Sequence, residues 1–170
     1  MDADRRAVLI AGLAAAAATR GAFAARPTDT PPPALDGEIR FDGAARAAAA
    51  SDFGHIVHET PEGVLLPGSD KDVARTIRWV GKRGRKFAPR GQGHSVFGRS
   101  MTRHGIVGDI SRLGTVRSIR GDRVVVDAGA RWSQVLAATL PHGLTPPVLT
   151  GYLELSVGGM LIVGGVGGTT

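Results

Sequence analysis

A chain of 170 residues with 42% apolar residues is long enough to bury a substantial core as one domain or as part of a larger one. It has no cysteine, which excludes disulfides, thiolate zinc sites and a cysteine nucleophile and is compatible with export. The net charge of +6 admits a nucleic acid or an anionic cofactor, but Arg75, Arg78 and Lys82 recur at helical spacing as one solvated face without interleaved aromatics, so no nucleic-acid partner is expected.

Residues 1–25 read as an export signal: Arg5-Arg6 precedes an apolar run from Ala7 to Ala18, and Ala22-Phe23-Ala24 offers a small-x-small cleavage site. The run is short for a membrane span, so no stable membrane insertion is expected. The paired arginines resemble a twin-arginine signal, which suits a protein folded around a cofactor before export; an ordinary secretory signal is the alternative. The expected location is periplasmic or extracellular in a bacterium. Removing residues 1–24 takes away three arginines and two aspartates and leaves +5, so export does not explain the basic character. Residues 26–34, rich in proline and threonine, read as a disordered linker, and residues 35–170 as the folded domain.

Ala44 to Ala50 predicts one or two helical turns. His55, His58 and Glu59 follow, but Pro61 and Gly63 come at once and no further ligand cluster exists, so no metal is expected. Gly63 to Pro67 predicts a short buried strand. Ser69 with Asp72 three residues later opens a helix to about Arg83, with Val73, Ile77 and Val80 on its buried face. Lys86 to Pro89 predicts the next strand, and the strand–helix–strand crossover implies parallel neighbours with a ligand at the carboxyl end of the second. There lies Arg90-Gly91-Gln92-Gly93-His94-Ser95-Val96-Phe97-Gly98, where glycines let the backbone take positive φ and aim several N–H groups at one anion. By itself such a turn is a weak signal, as consistent with a structural loop as with a cofactor site.

Gly105 to Ile110 predicts a strand, and Val116 to Arg120 pairs with Arg123 to Val126 across Gly121-Asp122 as a hairpin. Trp132, Val135, Leu136 and Leu140 mark a helix that stops at Pro141 and Gly143, with core packing as their role. Glycine makes up 25 residues, about twice the usual ~7%, and clusters toward the end. So many glycines favour neither strand nor helix there, but suit a backbone passing close to a planar ligand or a diphosphate.

Several segments, in order, carry a resemblance: Asp52-Phe53-Gly54, Arg90 to Ser95, Val126-Asp127-Ala128-Gly129, His142-Gly143-Leu144 and Tyr152 to Gly159. From about Ser51 to Thr170 the chain resembles the amino-terminal flavin-binding half of the vanillyl-alcohol-oxidase superfamily, the PCMH-type FAD domain, and within it cytokinin dehydrogenases and bacterial relatives. The resemblance implies an α+β fold, incomplete at the carboxyl end, with FAD as cofactor. It implies that His94 is bonded to the 8α-methyl of the isoalloxazine, for which a neutral imidazole is a suitable nucleophile at ordinary pH. Pro89, Arg90, Gly91, Gln92, Gly93 and Ser95 would surround the diphosphate, Gly98 and Arg99 would follow near the flavin, and Ser156, Gly158, Gly159, Ile162 and Val166 would contact the cofactor from the other side.

Two positions depart from that pattern. Arg99 stands where relatives carry glutamine, which alters one polar contact and adds a bulky cation. Gly151 stands where cytokinin dehydrogenases carry the aspartate that accepts the substrate amine proton, and a glycine cannot be a base. The resemblance implies an oxidoreductase acting on a small alcohol or amine, or a flavin-binding remnant without catalysis. Relatives continue into a substrate domain, so a missing domain or a separate chain is an implied partner, and the shortened sheet is expected to be marginally stable or to bind FAD weakly.

Overall fold

The computed structural model describes residues 30–165 together with Gly167 and Gly168; the export-signal segment and Val166 lie outside the described residues. Four strands make the main sheet: β1 (Glu38–Arg40), β2 (Gly63–Leu66), β3 (Lys86–Arg90) and β4 (Gly105–Asp109). Their order is β1-β2-β4-β3, with β1 antiparallel to β2 and the β2–β4 and β4–β3 pairs parallel. The strands on either side of the crossover helix are therefore parallel, as expected, but they are not neighbours, because β4 lies between them. The reason is visible in β4 itself. Gly105, Ile106, Val107 and Gly108 are all buried, an unbroken apolar run of the kind that suits a central strand covered on both faces. Its glycines permit close approach: a Cβ at Gly108 would run into the Phe87 ring on β3.

One helix covers each face. Helix α1 (Gly43–Ala48), capped by the Asp42 carboxylate on the Ala45 N–H, packs over a small-residue cluster of Ala49, Val64, Ala88 and Val107. Helix α2 (Asp70–Lys82) starts at Ser69, as the capping pattern predicts, and covers Leu65, Trp79, Val80 and Ile106. Its buried residues are Asp72, Thr76, Trp79 and Val80, while Ile77, expected inside, is 47% exposed. The buried stripe is rotated toward Thr76 because Asp72 at the helix start has a structural task. Its buried carboxylate accepts the N–H groups of Asp36, Gly37 and Gly68, tying the approach to β1 to the start of α2. Trp79 donates to the Thr30 carbonyl at 2.9 Å and Arg75 to that of Ala34 at 3.3 Å, so the described end of the proline-rich stretch runs along α2.

Beyond β4, strands β5 (Val116–Arg120) and β6 (Arg123–Val126) form the predicted hairpin around Gly121, whose φ is +57°. Helix α3 (Trp132–Thr139) continues into a 3₁₀ turn over Leu140–His142 and ends at left-handed Gly143. The glycine-rich end is more ordered than its composition suggests. Strand β7 (Leu149–Thr150) pairs with β8 (Gly167–Gly168), and between them Val157–Val163 forms helix α4. Glycine costs helix stability, but Met160 and Leu161 are good helix formers, and left-handed Gly164 closes the helix.

Candidate flavin site

His94 lies in the loop that leaves the carboxyl end of β3, where an α/β arrangement presents ligands. Gly93 has φ +77°, and a side chain there would press on the Arg90 guanidinium. Arg90 in turn donates to the Ser51 carbonyl at 3.0 Å, supporting the loop from the 51–58 segment. At the far end Phe97 (φ +60°) and Gly98 (φ +67°) are consecutive left-handed residues that turn the chain sharply. Arg99 is exposed just beyond them, and Gln92, Gly93 and Ser95 are half-buried. Pro89 faces Gly108 in the β3–β4 register.

The 51–58 segment holds this loop on both sides of the histidine. The Phe53 N–H donates to the Ser95 carbonyl at 3.1 Å. The buried Asp52 carboxylate accepts from Ile56 at 2.8 Å and from Val57 and Gly98 at 3.3 Å. Burial by itself would raise the Asp52 pKa, but these N–H donors outweigh it and hold the carboxyl below its ordinary value. His94 contacts two aromatic rings: Phe53 stacks on it at 4.5 Å between centroids and 28° between planes, and Tyr152 tilts against it at 5.3 Å and 50°. Its Nδ1 lies 3.2 Å from the Gln92 carbonyl, a contact made when that nitrogen carries the proton.

Tyr152 belongs to the second glycine segment, which the fold brings against the first. The Val157 N–H donates to Ala130 and the Gly158 N–H to Ala128, both at 2.8 Å, while Arg131 and Ser156 form an antiparallel bridge. The Arg131 guanidinium meets the Glu154 carboxylate at 2.7 Å, closing the same corner. A Cβ at Gly158 would lie 2.7 Å from that of Ala128. Buried Ser156 then stands beside Gly91, where any added Cβ would strike its Oγ, and a Cβ at Gly159 would lie 2.8 Å from the same oxygen. Two segments some sixty residues apart in sequence thus meet where Gly91 faces Ser156, while Gly158 packs on Ala128 and Gly159 on Ser156 of its own segment.

Most of the residues expected at the cofactor are brought to this junction: Arg90, Gly91, Gln92, Gly93, His94, Ser95 and Gly98 on one side, and Ser156, Gly158 and Gly159 on the other. Ile162 is on α4, 81% exposed. Gly151 is exposed in the turn after β7, with nothing within 4 Å of a Cβ there. Phe53, Asp52 and Tyr152 were parts of the matched segments without a role, and their spatial meeting with His94 is not encoded in any local spacing. A separate cleft of about 500 Å³, between the start of α2 and the β5–β6 hairpin, is lined by Asp36, Ser69, Lys71, Arg112, Arg117, Asp127 and neighbours and includes none of these residues.

The model for the "FAD binding domain" family matches residues 61–170, about two thirds of the chain and both glycine segments. The chain belongs to this FAD-binding family. The chain is 43% identical over 136 residues to an uncharacterised oxidoreductase of the fasciation locus of Rhodococcoides fascians, covering 80% of this chain and 31% of that protein. It is 44% identical over 142 residues to cytokinin dehydrogenase 10 of Oryza sativa subsp. japonica, covering 77% and 26%. The crystal structure of 6-hydroxy-D-nicotine oxidase from Arthrobacter nicotinovorans shares the fold, with a TM-score of 0.65 and 23% identity over 76% of this chain and 28% of that one. These matches make this a PCMH-type FAD domain of the vanillyl-alcohol-oxidase superfamily, within an FAD-binding oxidoreductase family, with FAD as cofactor. The chain spans less than a third of the length of the curated relatives named above.

The local structure fits that cofactor. The half-buried main chain of Gly91 to Ser95 is open to a diphosphate, and the Tyr152 ring, 52% exposed, supplies apolar area for a planar ring system beside His94. Among the described residues no group of acidic, histidine or cysteine side chains is placed to hold a metal ion, and no helix is long and apolar enough to cross a membrane.

Proposed function

We propose that this chain is the flavin-binding part of an FAD-dependent oxidoreductase in which FAD is bonded to His94. The observation that carries the reading is the position of His94: in the loop at the carboxyl end of a parallel strand, against two aromatic rings, beside the place where Gly91 of the first glycine segment meets Ser156 of the second. Bound FAD would accept a hydride from a small alcohol or amine and pass the electrons to dioxygen or another acceptor. The chain's own part is to hold the cofactor. Backbone N–H groups of Gly91 to Ser95 serve the diphosphate, the imidazole of His94 anchors the ring system, and Ser156 and Gly159 bound the site from α4.

Substrate deprotonation is not assigned to this chain, because Gly151 offers no base where cytokinin dehydrogenases carry an aspartate. That glycine favours a second reading, a flavin-binding module without catalysis. The substrate pocket would come from a further domain or a separate chain. An exported, periplasmic or extracellular location follows from the reading of residues 1–25.

The test is to express the chain with FAD, precipitate it in acid and examine the pellet. Yellow protein that disappears in His94→Ala supports the covalent reading, and flavin wholly in the supernatant contradicts it. Reduction of the bound flavin by candidate amines or alcohols separates the catalytic reading from the module.

A further inference from the structure

The contacts around His94 divide unequally. On the side of its own loop the imidazole has one polar contact, the Gln92 carbonyl at 3.2 Å. Its ring face is covered by Phe53, at 4.5 Å and 28°, close to a parallel stack. Phe53 is not placed there by burial, since it is 58% exposed. Its placement comes from the main chain: its N–H is bonded to the carbonyl of Ser95, the residue directly after His94, and the neighbouring Asp52 carboxylate bonds Gly98 on the far side of the loop. Segment and loop are therefore tied together at Ser95 and Gly98, and this sets the phenyl ring over the imidazole.

We propose that Phe53 is a positioning residue for flavin attachment, restricting the rotation of the His94 ring so that one nitrogen faces the 8α carbon. This rests on the covalent reading above. In the bond-forming step His94 gives up one N–H proton and the 8α carbon gives up one hydrogen as a proton. A C–N bond forms, the two electrons and two protons released are taken up by the flavin ring, and dioxygen reoxidises it, yielding hydrogen peroxide. Such a step is sensitive to orientation, because a nitrogen turned away from the carbon cannot reach it without first breaking the stack. Tyr152, tilted and on the other glycine segment, bounds the ring without fixing its plane.

The experiment follows acid-precipitable flavin with time in the full 170-residue chain mixed with FAD, for the wild type, Phe53→Leu and Phe53→Tyr. The same substitutions in a His94→Ala background give the non-covalent FAD affinity by fluorescence quenching. The inference expects Phe53→Leu to slow attachment roughly tenfold, in line with the strength of an aromatic pair, with non-covalent affinity unchanged and the rate retained in Phe53→Tyr. Attachment in Phe53→Leu at the wild-type rate overturns the inference and leaves the covalent reading standing. A slower rate matched by an equal loss of affinity in the His94→Ala background also overturns it, because Phe53 then only binds. No acid-stable flavin in the wild type overturns the covalent reading and this inference together.

Discussion

A methyl group at Gly91 would sit inside contact distance of the Ser156 Oγ, whereas the same methyl at Gly151 would meet nothing within 4 Å. The two glycines differ in what they do. At Gly91 the missing carbon lets the loop after β3 meet the start of α4, so Gly91→Ala should weaken non-covalent FAD binding by about tenfold, or ~1.4 kcal/mol. Gly151→Ala should change stability by less than about 0.5 kcal/mol. Flavin fluorescence quenching and thermal melting of both variants check the contrast, and equal effects at the two positions would remove the structural distinction. The open space at Gly151 also means that Gly151→Asp can be introduced without displacing a neighbour, so a variant of a longer chain can test whether amine oxidation lacks only that base. The residue types of the site were legible because glycine and histidine are chemically distinctive. The pairings of His94 with Phe53 and of Glu154 with Arg131 were not, since each joins segments far apart in sequence.

Among the elements, α2 shows how one buried charge organises a helix start. Burial alone would raise the Asp72 pKa, but the N–H groups of Asp36, Gly68 and Gly37, aided by Arg75, outweigh it and hold the carboxyl below its ordinary value. A depressed native pKa means that the unfolded chain takes up the proton first. The contribution is therefore complete above the ordinary aspartate value of about 3.9 and is lost as pH falls through the lower native value. Melting temperature against pH should show this loss beginning near pH 4. Asp72→Asn should cost about 1–3 kcal/mol at neutral pH, from weakened hydrogen bonds to a charged acceptor, and should flatten the acid limb; an unchanged acid limb would exclude Asp72 as its source. Leu65, fully buried between α2 and the sheet, should cost about 2–5 kcal/mol when cut to alanine. The Ser69 cap and the β5–β6 hairpin were readable because capping and turn residues act locally. The place of β4 between β2 and β3 required its continuous burial to be read as centrality, and the helix α4 was hidden by glycines whose cost its apolar residues offset.

At the scale of the whole molecule, the main sheet is covered on both faces, whereas among the described residues none covers the apolar side chains near the end of α4. Leu161, Ile162 and Val163 are 73%, 81% and 68% exposed, next to the glycine junction. Lysine at Leu161 and Ile162 should leave melting within about 0.5 kcal/mol of the wild type while lowering self-association seen by light scattering. A large loss of stability would show that these side chains pack in solution. The likeness to FAD-binding relatives was legible from ordered segments of sequence, whereas the meeting of the two glycine segments that makes a cofactor site out of them depends on the 128–133 strip to which the second is bonded. The central claim is the bond between His94 and FAD, and trypsin provides a direct view of it. Cleavage after Arg90 and Arg99 releases residues 91–99, whose only histidine is His94. Mass spectrometry of that peptide from the FAD-loaded chain should find it carrying a flavin. The unmodified peptide alone, or flavin on a different peptide, would contradict the account.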